Sequence, residues 1–295
     1  MFACPVCGLS LMPRAGSSDS AAWAGARPGA LVCAAGHSFD VAKQGYVSLV
    51  TGDSHIVGDT SDMVQARASF LATGVYEPIV SALVEMLASF DGRLPVGEER
   101  AMSESVGIRP LTFADLGGGT GYYSASILDA LPAWDGVLLD VSKHAAKLAA
   151  RAHRRLKVAT ADLRTTIPLI TASMDAALVV FAPRNAAEIR RILAPGGVCV
   201  VVTPTERHLQ ELRATQHMLD IDPDKEDRLT RQFADFNLME QRQIEWQTDL
   251  TQQQVQWVVG MGPSAFHTES TDRASHIQDP VNTTVSVTVR AFQPK

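Results

Sequence analysis

The chain has 295 residues, 46% of them hydrophobic, which suits one ordinary α/β domain with a smaller module beside it. Its net charge of −6 argues against a uniformly basic surface for nucleic acid, although a local basic patch is compatible with it. No apolar run approaches the length of a membrane span, and the opening MFACPVCG lacks the pattern of a signal peptide. Three of the four cysteines fall within the first 33 residues without the look of a disulfide framework, so we expect a cytoplasmic protein.

The first 50 residues contain two short motifs of metal-binding type. CPVCG places Cys4 and Cys7 at C-x2-C spacing, and VCAAGHSFD supplies Cys33 and His37. Three thiolates and one imidazole form a four-coordinate tetrahedral set, which is typical of structural rather than catalytic zinc. The alternative is a group of unpaired buried cysteines. The spacing predicts a zinc ribbon, a module that commonly binds nucleic acid or another protein.

Two helices are predicted after these motifs, between two stretches of loop-like composition. RAGSSDSAAWAGARPGA, within the metal-binding region, predicts a loose loop. GDTSDMVQARASFLATG predicts a helix that is capped by Asp59, Thr60 or Ser61 and ended by Gly74. YEPIVSALVEMLASF predicts a second helix, and DGRLPVGEERAMSESVG predicts a polar linker after it. The second helix is favoured because its apolar residues form one helical stripe: Ile79, Ala82, Leu83, Met86, Leu87 and Phe90.

Five apolar runs of strand length follow, at 111–116, 136–140, 156–160, 175–181 and 197–203. Helix-forming or helix-length sequence separates the first four, and NAAEIRRIL precedes the fifth, which predicts a parallel sheet covered on both faces. QRQIEWQTDL and TTVSVTVRAF alternate in polarity and predict an antiparallel pair at the end. This layout resembles the class I methyltransferases, which are α/β proteins with a Rossmann-like, mostly parallel seven-stranded sheet. We therefore divide the chain into a zinc-ribbon module (1–50), a helical connector with linker (51–108) and a methyltransferase domain (109–295).

The stretch DLGGGTG follows the first of these strands and is rich in glycine. Gly117, Gly119 and Gly121 give G-x-G-x-G, but Tyr122 stands where a dinucleotide-binding motif needs its third glycine. No Gly-Lys-Ser/Thr follows, so a P-loop is excluded. With Asp115 the stretch resembles the S-adenosylmethionine loop D-x-G-x-G-x-G, whose glycines make room for the cofactor. The alternative is a tight turn in some other doubly wound protein.

Two acids and one turn after the loop fit the same cofactor. Asp140 ends the second strand, where a carboxylate can accept hydrogen bonds from both ribose hydroxyls. Asp162 follows the third strand, where the methyltransferases keep a residue that pairs with the adenine amino group. Pro195-Gly196-Gly197 leads into the fifth strand, as in many class I enzymes. Each acid alone is more typical of a solvated strand end, but their order together predicts a site for S-adenosylmethionine.

The absence of motifs for particular methyl acceptors limits the methylation reactions that the sequence predicts. After the fourth strand stands VVFAPRN, and not the Asn/Asp-Pro-Pro-aromatic sequence of enzymes that methylate exocyclic amines of bases. Cys199 lies inside the fifth apolar run, where a core position explains it better than a nucleophile for pyrimidine methylation. Alkylation of a nitrogen or an oxygen remains.

A run of basic residues in SKHAAKLAARAHRRLK is uninterrupted by acids. Lys143, Lys147, Arg151 and Arg155 follow one another at i, i+4 spacing, which predicts a basic ridge on one helix face. The ridge is either a solvated face or a surface that contacts nucleic-acid phosphates.

Segments along almost the whole chain carry a family resemblance: the zinc ribbon, FDVAKQGYVSLV, DTSDMVQARASFL, DLGGGTG, LLDVSK, FAPRNAAEIRRILAPGG, VVTPTERHLQEL and VVGMGPSAFH. They resemble the 23S ribosomal RNA guanine-N1 methyltransferases of the RlmA/TlrB type. DLGGGTG and FAPRN resemble its Gram-positive branch, which modifies a guanine in a domain II hairpin at the peptide exit tunnel and includes tylosin-resistance enzymes. The resemblance implies S-adenosylmethionine and zinc as cofactors, a 23S rRNA hairpin as partner, and a homodimer.

The resemblance also implies roles for individual residues. Cys4, Cys7, Cys33 and His37 match the family's zinc ligands. Cofactor contacts are implied at four further positions: Tyr76, Gly121, Tyr122 and His208. The loop between the two zinc motifs is longer than in the family, which bears on the local shape of the ribbon.

Methylation at guanine N1 requires an unpaired or extruded base, because N1 lies on the Watson–Crick edge and carries a proton. Phe181, at the end of the fourth strand, is a candidate surface for that base or a core residue. His208, Asp162 and Glu206 are candidate bases by position alone. Two other functions stay open: methylation of a small molecule, and RNA binding by a zinc ribbon on a non-catalytic methyltransferase scaffold.

Overall fold

The computed structural model describes residues 1–14, 29–52, 57–91, 110–216, 225–262 and 280–295. Most of the loop predicted between the zinc motifs and nearly all of the predicted linker lie outside these ranges. None of the helices in the described ranges combines the length and the hydropathy that a membrane span requires.

The N-terminal part forms a small antiparallel sheet of three short strands. Its strands are β1 (Leu11–Pro13), β2 (Ala30–Cys33) and β3 (Ser38–Asp40), in that spatial order. Leu11 pairs with Cys33, so the register of β1 and β2 brings the chain after the first cysteine pair beside the second metal-binding motif.

The main sheet has eight strands in the order β10-β11-β9-β8-β5-β6-β7-β4. Pairs from β4 to β9 are parallel, whereas β11 runs antiparallel to both β9 and β10. The strands are β4 (Tyr46–Ser48), β5 (Leu111–Leu116), β6 (Trp134–Asp140), β7 (Leu156–Thr160), β8 (Met174–Val180), β9 (Leu193–Pro204), β10 (Phe236–Leu250) and β11 (Val281–Pro294). The predicted class of fold is confirmed.

The sequence predicts a sheet of seven strands, and one strand of the observed sheet was not predicted. β4 pairs in parallel with β7 and adds an eighth strand at the edge, although it lies within the residues assigned to the zinc-ribbon module. Three residues are too few for a recognisable alternation, so this pairing has no local signal. The division of the chain into three parts stays a prediction.

The described helices are α1 (Ser61–Leu71), α2 (Glu77–Asp91), α3 (Tyr122–Ala130), α4 (Lys143–Ala152), α5 (Ala186–Ile192), α6 (Gln210–Gln216), α7 (Lys225–Gln232) and α8 (Gln252–Gly260). Both helices predicted before the sheet are confirmed. Thr60 caps α1 by accepting a hydrogen bond from the Met63 amide, and Gly74 lies beyond its end at φ 78°. The apolar stripe of α2 is buried along its whole length, as its period of 3.6 residues predicts.

The helix-length segment between β7 and β8 does not form a helix: residues 161–173 run as turns and irregular chain. Local polar groups bind the backbone there instead. The Thr165 hydroxyl donates to the carbonyl of Asp162, and the Ile167 amide donates to Glu188 at 2.7 Å. Pro168 follows and lacks an amide hydrogen. Hydrogen bonds to side chains therefore replace the backbone hydrogen bonds that a helix would make here.

The hydrophobic core lies in two layers, one on each face of the main sheet. In β9, Val198, Val200 and Val202 belong to one layer, whereas Cys199 and Val201 belong to the other. Cys199 is fully buried, and burial raises the pKa of its thiol, so the expectation of a core position is supported by its surroundings.

The zinc-ribbon module packs on the second layer. Phe2, Leu11 and Leu31 share a buried cluster with Leu169 of the main domain. Two backbone hydrogen bonds reinforce this contact, from the Ala3 amide to the Pro168 carbonyl (2.9 Å) and from the Ile170 amide to the Met1 carbonyl (3.0 Å). The small module therefore shares apolar surface with the sheet that carries the glycine loop.

Candidate active site and metal centre

Four potential metal ligands from two separate segments of the chain converge at one point of the N-terminal module. The ligand atoms of Cys4, Cys7, Cys33 and His37 all lie within 4.8 Å of one another. The Cys7 and Cys33 sulfur atoms are 3.6 Å apart, and His37 Nδ1 lies 3.6 Å from Cys4 Sγ and 3.3 Å from Cys33 Sγ. Zinc–sulfur bonds of about 2.3 Å in a tetrahedron separate neighbouring sulfur atoms by about 3.8 Å. The donor set therefore fits a zinc ion.

The electrostatics of the cluster favour thiolate at one of these positions. Desolvation raises the pKa of the Cys33 thiol, but hydrogen bonds from the His37 ring and backbone and from Cys7 lower it to about 6. Thiolate is the form that binds zinc.

The glycine loop stands at the carboxyl end of β5, and two of its glycines are required by close contacts. A Cβ on Gly118 would lie 2.6 Å from Asp115 Cγ and from Leu138 Cδ1. A Cβ on Gly117 would lie 2.6 Å from Ala182 Cβ, and Gly117 has a φ of 77°. The loop thus forms a cradle of bare backbone that packs directly against Asp115, Leu138 and Ala182, where a side chain would collide with the protein itself.

Asp115 is buried directly behind this cradle. Its Oδ2 accepts a hydrogen bond from the Ser124 hydroxyl at 2.6 Å, while its Oδ1 is buried with no hydrogen-bond partner among the described residues. Burial raises the pKa of the carboxyl group to about 7, a hydrogen bond from Ser124 opposes the shift, and Asp140 adds to it. An unsatisfied carboxylate oxygen in such a cradle is a place for a cationic or hydrogen-bond-donating ligand group.

We predict that Asp115 makes the cofactor-free protein less stable as pH rises from 5 to 7. Its folded pKa of about 7 exceeds the unfolded value of 3.8, so the folded state binds more protons in this window and ionisation opposes folding. Asp115→Asn removes this contribution, which amounts to about 2 kcal/mol between the two pH values. Urea unfolding of both proteins at each pH measures the difference. Parallel pH profiles for the two proteins would contradict the prediction.

Asp140 joins the second strand end to the glycine loop. Its Oδ2 accepts a hydrogen bond from the Gly119 amide (2.9 Å), and its Oδ1 accepts one from the Ser142 amide (2.8 Å). Burial raises the pKa of this carboxyl group, and the two amide bonds oppose the rise. Each oxygen retains a lone pair, so the carboxylate is already oriented by the backbone and still able to accept bonds from a ligand.

A cleft opens in front of the glycine loop, between the strand ends and α1. Of the residues singled out from the sequence, Tyr76, Gly117, Gly119, Tyr122 and Phe181 line it. Gly118 and Thr120 of the same loop also line it, with Tyr123 and Val180 beside them. Sequence reasoning missed the lining residues that come from distant segments: Arg67, Leu71 and Met261. A pattern within one segment gives no signal for such neighbours, because only the fold brings them together.

Gly121 and Asp162 have contacts of their own outside this lining. A Cβ on Gly121 would lie 3.1 Å from the Ala149 Cα atom, so this glycine allows α3 and α4 to pack closely. Asp162 is 8% exposed, and its Oδ1 accepts a hydrogen bond from the Arg164 amide at 2.9 Å. Their roles toward a cofactor stay predictions.

Tyr76 and His208 meet at the wall of the cleft although 132 residues separate them in the chain. The Tyr76 Oη and His208 Nε2 atoms lie 3.1 Å apart, and His208 Nδ1 accepts a hydrogen bond from the Ser286 amide. A backbone amide can only donate, so the neutral imidazole carries its proton on Nε2 and directs it toward Tyr76. In this arrangement His208 orients Tyr76, and it presents no free lone pair of Nε2 as a base.

Phe181 combines exposure with backbone strain. The residue is 37% exposed and has a φ of 54°, a left-handed conformation that is rare for an aromatic residue. Its ring centroid lies 6.1 Å from that of Tyr76 and 5.7 Å from that of His208. Strain of this kind often marks a functional site, where the surroundings hold a side chain in a fixed direction.

The basic ridge is shorter than predicted, and the expectation for Arg155 was wrong. Helix α4 ends at Ala152, and the Arg155 guanidinium donates to backbone carbonyls, among them those of Leu128, Leu131 and Trp134. Arg155 thereby satisfies the end of α3, where helix carbonyls have no partners of their own. The stripe that remains on α4 contains Lys143, Lys147 and Arg151, and its contact with phosphate stays a prediction.

Comparisons with known proteins match both parts of the chain. A zinc-ribbon family model described as "RlmA, N-terminal" matches residues 2–51, and a model described as "Methyltransferase domain" matches residues 113–197. A putative 23S rRNA (guanine-N(1)-)-methyltransferase of Micromonospora griseorubida is 42% identical over 99% of this chain and 96% of its own length. The chain belongs to this methyltransferase family.

Two further relatives extend the comparison. The 23S rRNA (guanine(748)-N(1))-methyltransferase of Streptomyces fradiae is 40% identical, over 90% of this chain and 91% of its own. A putative 23S rRNA (guanine-N(1)-)-methyltransferase of Bacillus subtilis, YxjB, is 26% identical over 98% of this chain and 95% of its own. The predicted family is confirmed.

The methyltransferase takes S-adenosylmethionine as its methyl donor and carries a zinc ribbon for a structural zinc ion. Both predictions of a cofactor are therefore confirmed at the level of the family. The residues fit these groups: four converging ligand atoms suit zinc, and the glycine cradle with the unpartnered Asp115 Oδ1 suits a cofactor that carries both hydroxyl and ammonium groups.

Proposed function

We propose that this enzyme methylates N1 of a guanine in a domain II hairpin of 23S rRNA. The observation that carries the proposal is the 40–42% identity with guanine-N1 methyltransferases, which spans at least 90% of the chain and so includes both the zinc ribbon and the catalytic domain. The zinc ribbon and the α4 stripe are then surfaces for RNA, whereas the glycine-loop cleft serves the chemistry.

For the cofactor, we propose the following roles. S-adenosylmethionine supplies an electrophilic methyl group on its sulfonium. The Asp140 carboxylate accepts bonds from the ribose hydroxyls, and Asp162 stands on the adenine side. The remaining contacts are made by residues around the glycine loop and the Tyr76 wall: Asp115, Gly117, Gly119, Gly121, Tyr122, Tyr76 and His208.

Proton removal from guanine N1 is the step for which the chain must provide an acceptor or a path to water. His208 is oriented by the Ser286 amide and directs its Nε2 proton to Tyr76, which favours a positioning role over that of a base. Asp162 is buried, whereas Glu206 is exposed in the segment before α6. We infer that positioning of the base in the cleft, with transfer of the proton to solvent, carries much of this step.

Phe181 is our candidate for the surface on which the target guanine stacks. Stacking of a base on an aromatic ring contributes about 1–3 kcal/mol, so Phe181→Ala lowers kcat/KM for RNA on the order of tenfold to a hundredfold. Phe181→Tyr retains the ring and is the matched control, with near wild-type kinetics. Steady-state assays on rRNA measure both variants, together with titration of the cofactor. An equal loss of cofactor affinity in the alanine variant would assign the ring to the cofactor instead.

Primer extension on 23S rRNA tests the proposed reaction directly. Methylation at N1 blocks Watson–Crick pairing, so reverse transcription of rRNA from cells that express the gene stops next to the modified guanine. Cells without the gene give read-through at the same position. A stop at a base other than guanine, or read-through in both strains, would contradict the proposal.

The two other functions predict different outcomes in one methylation assay. A small-molecule methyltransferase labels a metabolite extract and leaves deproteinised rRNA unlabelled. A non-catalytic RNA-binding protein binds rRNA and labels neither. The intact glycine cradle and the oriented Asp140 carboxylate favour catalysis over the second alternative.

We extend the proposal to the cellular location, the oligomeric state and the biological role of the enzyme. The enzyme acts in the cytoplasm, where rRNA is made, and as a homodimer whose two subunits share the hairpin. Protection against tylosin-type macrolides is an extension of the same proposal. Sedimentation of the purified protein tests the dimer, and the minimal inhibitory concentration of tylosin with and without the gene tests resistance.

A further inference from the structure

Arg67 of α1 brings a permanent positive charge to the wall of the cofactor cleft. It lines the cleft together with Tyr76, Gly119 and Met261, and it is the one Lys or Arg among the described residues of that lining. Its Cδ atom lies 3.5 Å from the place where a Cβ on Gly119 would stand, so its side chain faces the glycine loop directly.

The Nη2 atom of the Arg67 guanidinium is held by two hydrogen bonds, whereas its Nε atom has no partner among the described residues. Its Nη2 donates to Asp59 Oδ2 at 2.6 Å and to the Met261 carbonyl at 2.8 Å. Its Nε is buried and has no hydrogen-bond partner among the residues that the structure describes. A buried donor without a partner is uncommon, and beside a ligand cleft it is a donor that an acceptor atom of a ligand can satisfy.

Asp59 in turn is fixed to the part of the site that carries Asp140. The Ser142 hydroxyl donates to the Asp59 carbonyl at 2.7 Å, and the Ser142 amide donates to Asp140. A Cβ on Gly58 would lie 2.8 Å from the Ser142 Cα atom, so this segment is in tight contact with the strand end. These contacts fix the position of the Arg67 guanidinium relative to Asp140, the carboxylate that we assign to the ribose hydroxyls.

The groups that S-adenosylmethionine carries determine which of them Arg67 can bind. S-adenosylmethionine has no phosphate, and the carboxylate of its amino-acid portion is its single anionic group. A planar guanidinium matches a carboxylate in charge and in hydrogen-bond geometry. We propose that Arg67 binds the carboxylate of S-adenosylmethionine, with Asp59 and the Met261 carbonyl as positioning groups. Helix α1, which lies outside the glycine loop and the strand ends, thus supplies one ligand of the cofactor.

Two ligands that differ in the amino-acid portion test the proposal without RNA. S-adenosylhomocysteine carries the carboxylate, whereas 5′-methylthioadenosine lacks the amino-acid portion but keeps the nucleoside. Calorimetric titration of Arg67→Gln should show a loss of S-adenosylhomocysteine affinity on the order of tenfold to a hundredfold. Affinity for 5′-methylthioadenosine should stay within a few-fold of wild type. Arg67→Lys keeps the charge without the planar fork and should fall between the two.

Arg190→Gln is the matched control, because Arg190 is an exposed arginine of α5 that faces Asp235. It should leave both affinities unchanged. An Arg67→Gln variant that loses both ligands equally would make Arg67 a structural residue of the cleft, and one that loses neither would exclude the contact; either result overturns the proposal. Because no RNA enters the titration, the outcome is independent of the proposed rRNA target.

Discussion

Cys4→Ser combined with Cys7→Ser should unfold the zinc-ribbon module, abolish RNA binding and leave affinity for S-adenosylmethionine within a few-fold of wild type. Structural zinc contributes about 10–16 kcal/mol to the folding of small modules. The three strands of the module have only three or four residues each, so they cannot replace that energy with a core of their own.

The same variant should also lower the melting temperature of the catalytic domain. Phe2, Leu11 and Leu31 cover Leu169 in the second core layer, and their loss exposes apolar surface of the main domain. The glycine loop and Asp140 lie on other elements and keep their contacts. Zinc content, an RNA-binding assay, thermal unfolding followed by circular dichroism, and calorimetric titration of the cofactor measure the four expected results separately.

Cys199→Ala is the matched control for this experiment. Cys199 is a buried core cysteine outside the metal cluster, so its replacement should leave the zinc content at wild-type level. Full zinc content in the double serine variant, or a loss of cofactor affinity as large as the loss of RNA affinity, would contradict the prediction.

Asp140→Ala should weaken the binding of S-adenosylmethionine about a hundredfold or more. The carboxylate is oriented by amide bonds from Gly119 and Ser142, so it can accept two ribose hydroxyl bonds without reorganisation. Charge-assisted hydrogen bonds contribute about 1.5–3 kcal/mol each when they are shielded from water. RNA binding in the absence of cofactor should hardly change.

Two further variants test whether Asp140 is the carboxylate that binds the ribose. Asp140→Asn keeps acceptor capacity on one oxygen but loses the charge, and we expect an intermediate loss of affinity. Asp129→Ala removes a carboxylate that is 76% exposed at the end of α3, and it should have no effect on the cofactor. Wild-type affinity of the Asp140→Ala variant in a calorimetric titration would place the ribose elsewhere.

The sequence predicted those features whose signal lies within a single segment. The stripe of α2 is periodic, and the order of glycine loop, Asp140 and Asp162 follows from parallel strands whose carboxyl ends meet at one edge. Arg67 escaped notice as a cofactor ligand because its partner Met261 is 194 residues away, and the segments that contain them, DTSDMVQARASFL and VVGMGPSAFH, carried only the family resemblance. Only the folded contact between α1 and the end of α8 brings them together.

Arg155 shows the opposite error, in which a local pattern was followed too far. Its i, i+4 spacing from Arg151 is real, but the carbonyls at the end of α3 offer the guanidinium several hydrogen bonds, and α4 ends three residues earlier. The Phe181 backbone was equally hidden, since no sequence rule assigns a left-handed conformation to a phenylalanine. Tertiary contacts decided both cases.

The pairing of β4 with β7 has a consequence for how the chain folds during synthesis. The ligands Cys4 and His37 are 33 residues apart and can close around zinc early, whereas Ser48 meets Thr160 across 112 residues. At a translation rate of about 5–20 residues per second, β4 waits roughly 6 to 22 s for its partner. Throughout that interval the nascent chain carries a finished metal module followed by an open strand edge. We therefore expect the step most vulnerable to aggregation to be the docking of this edge, and slower translation between the two strands to lengthen the exposure.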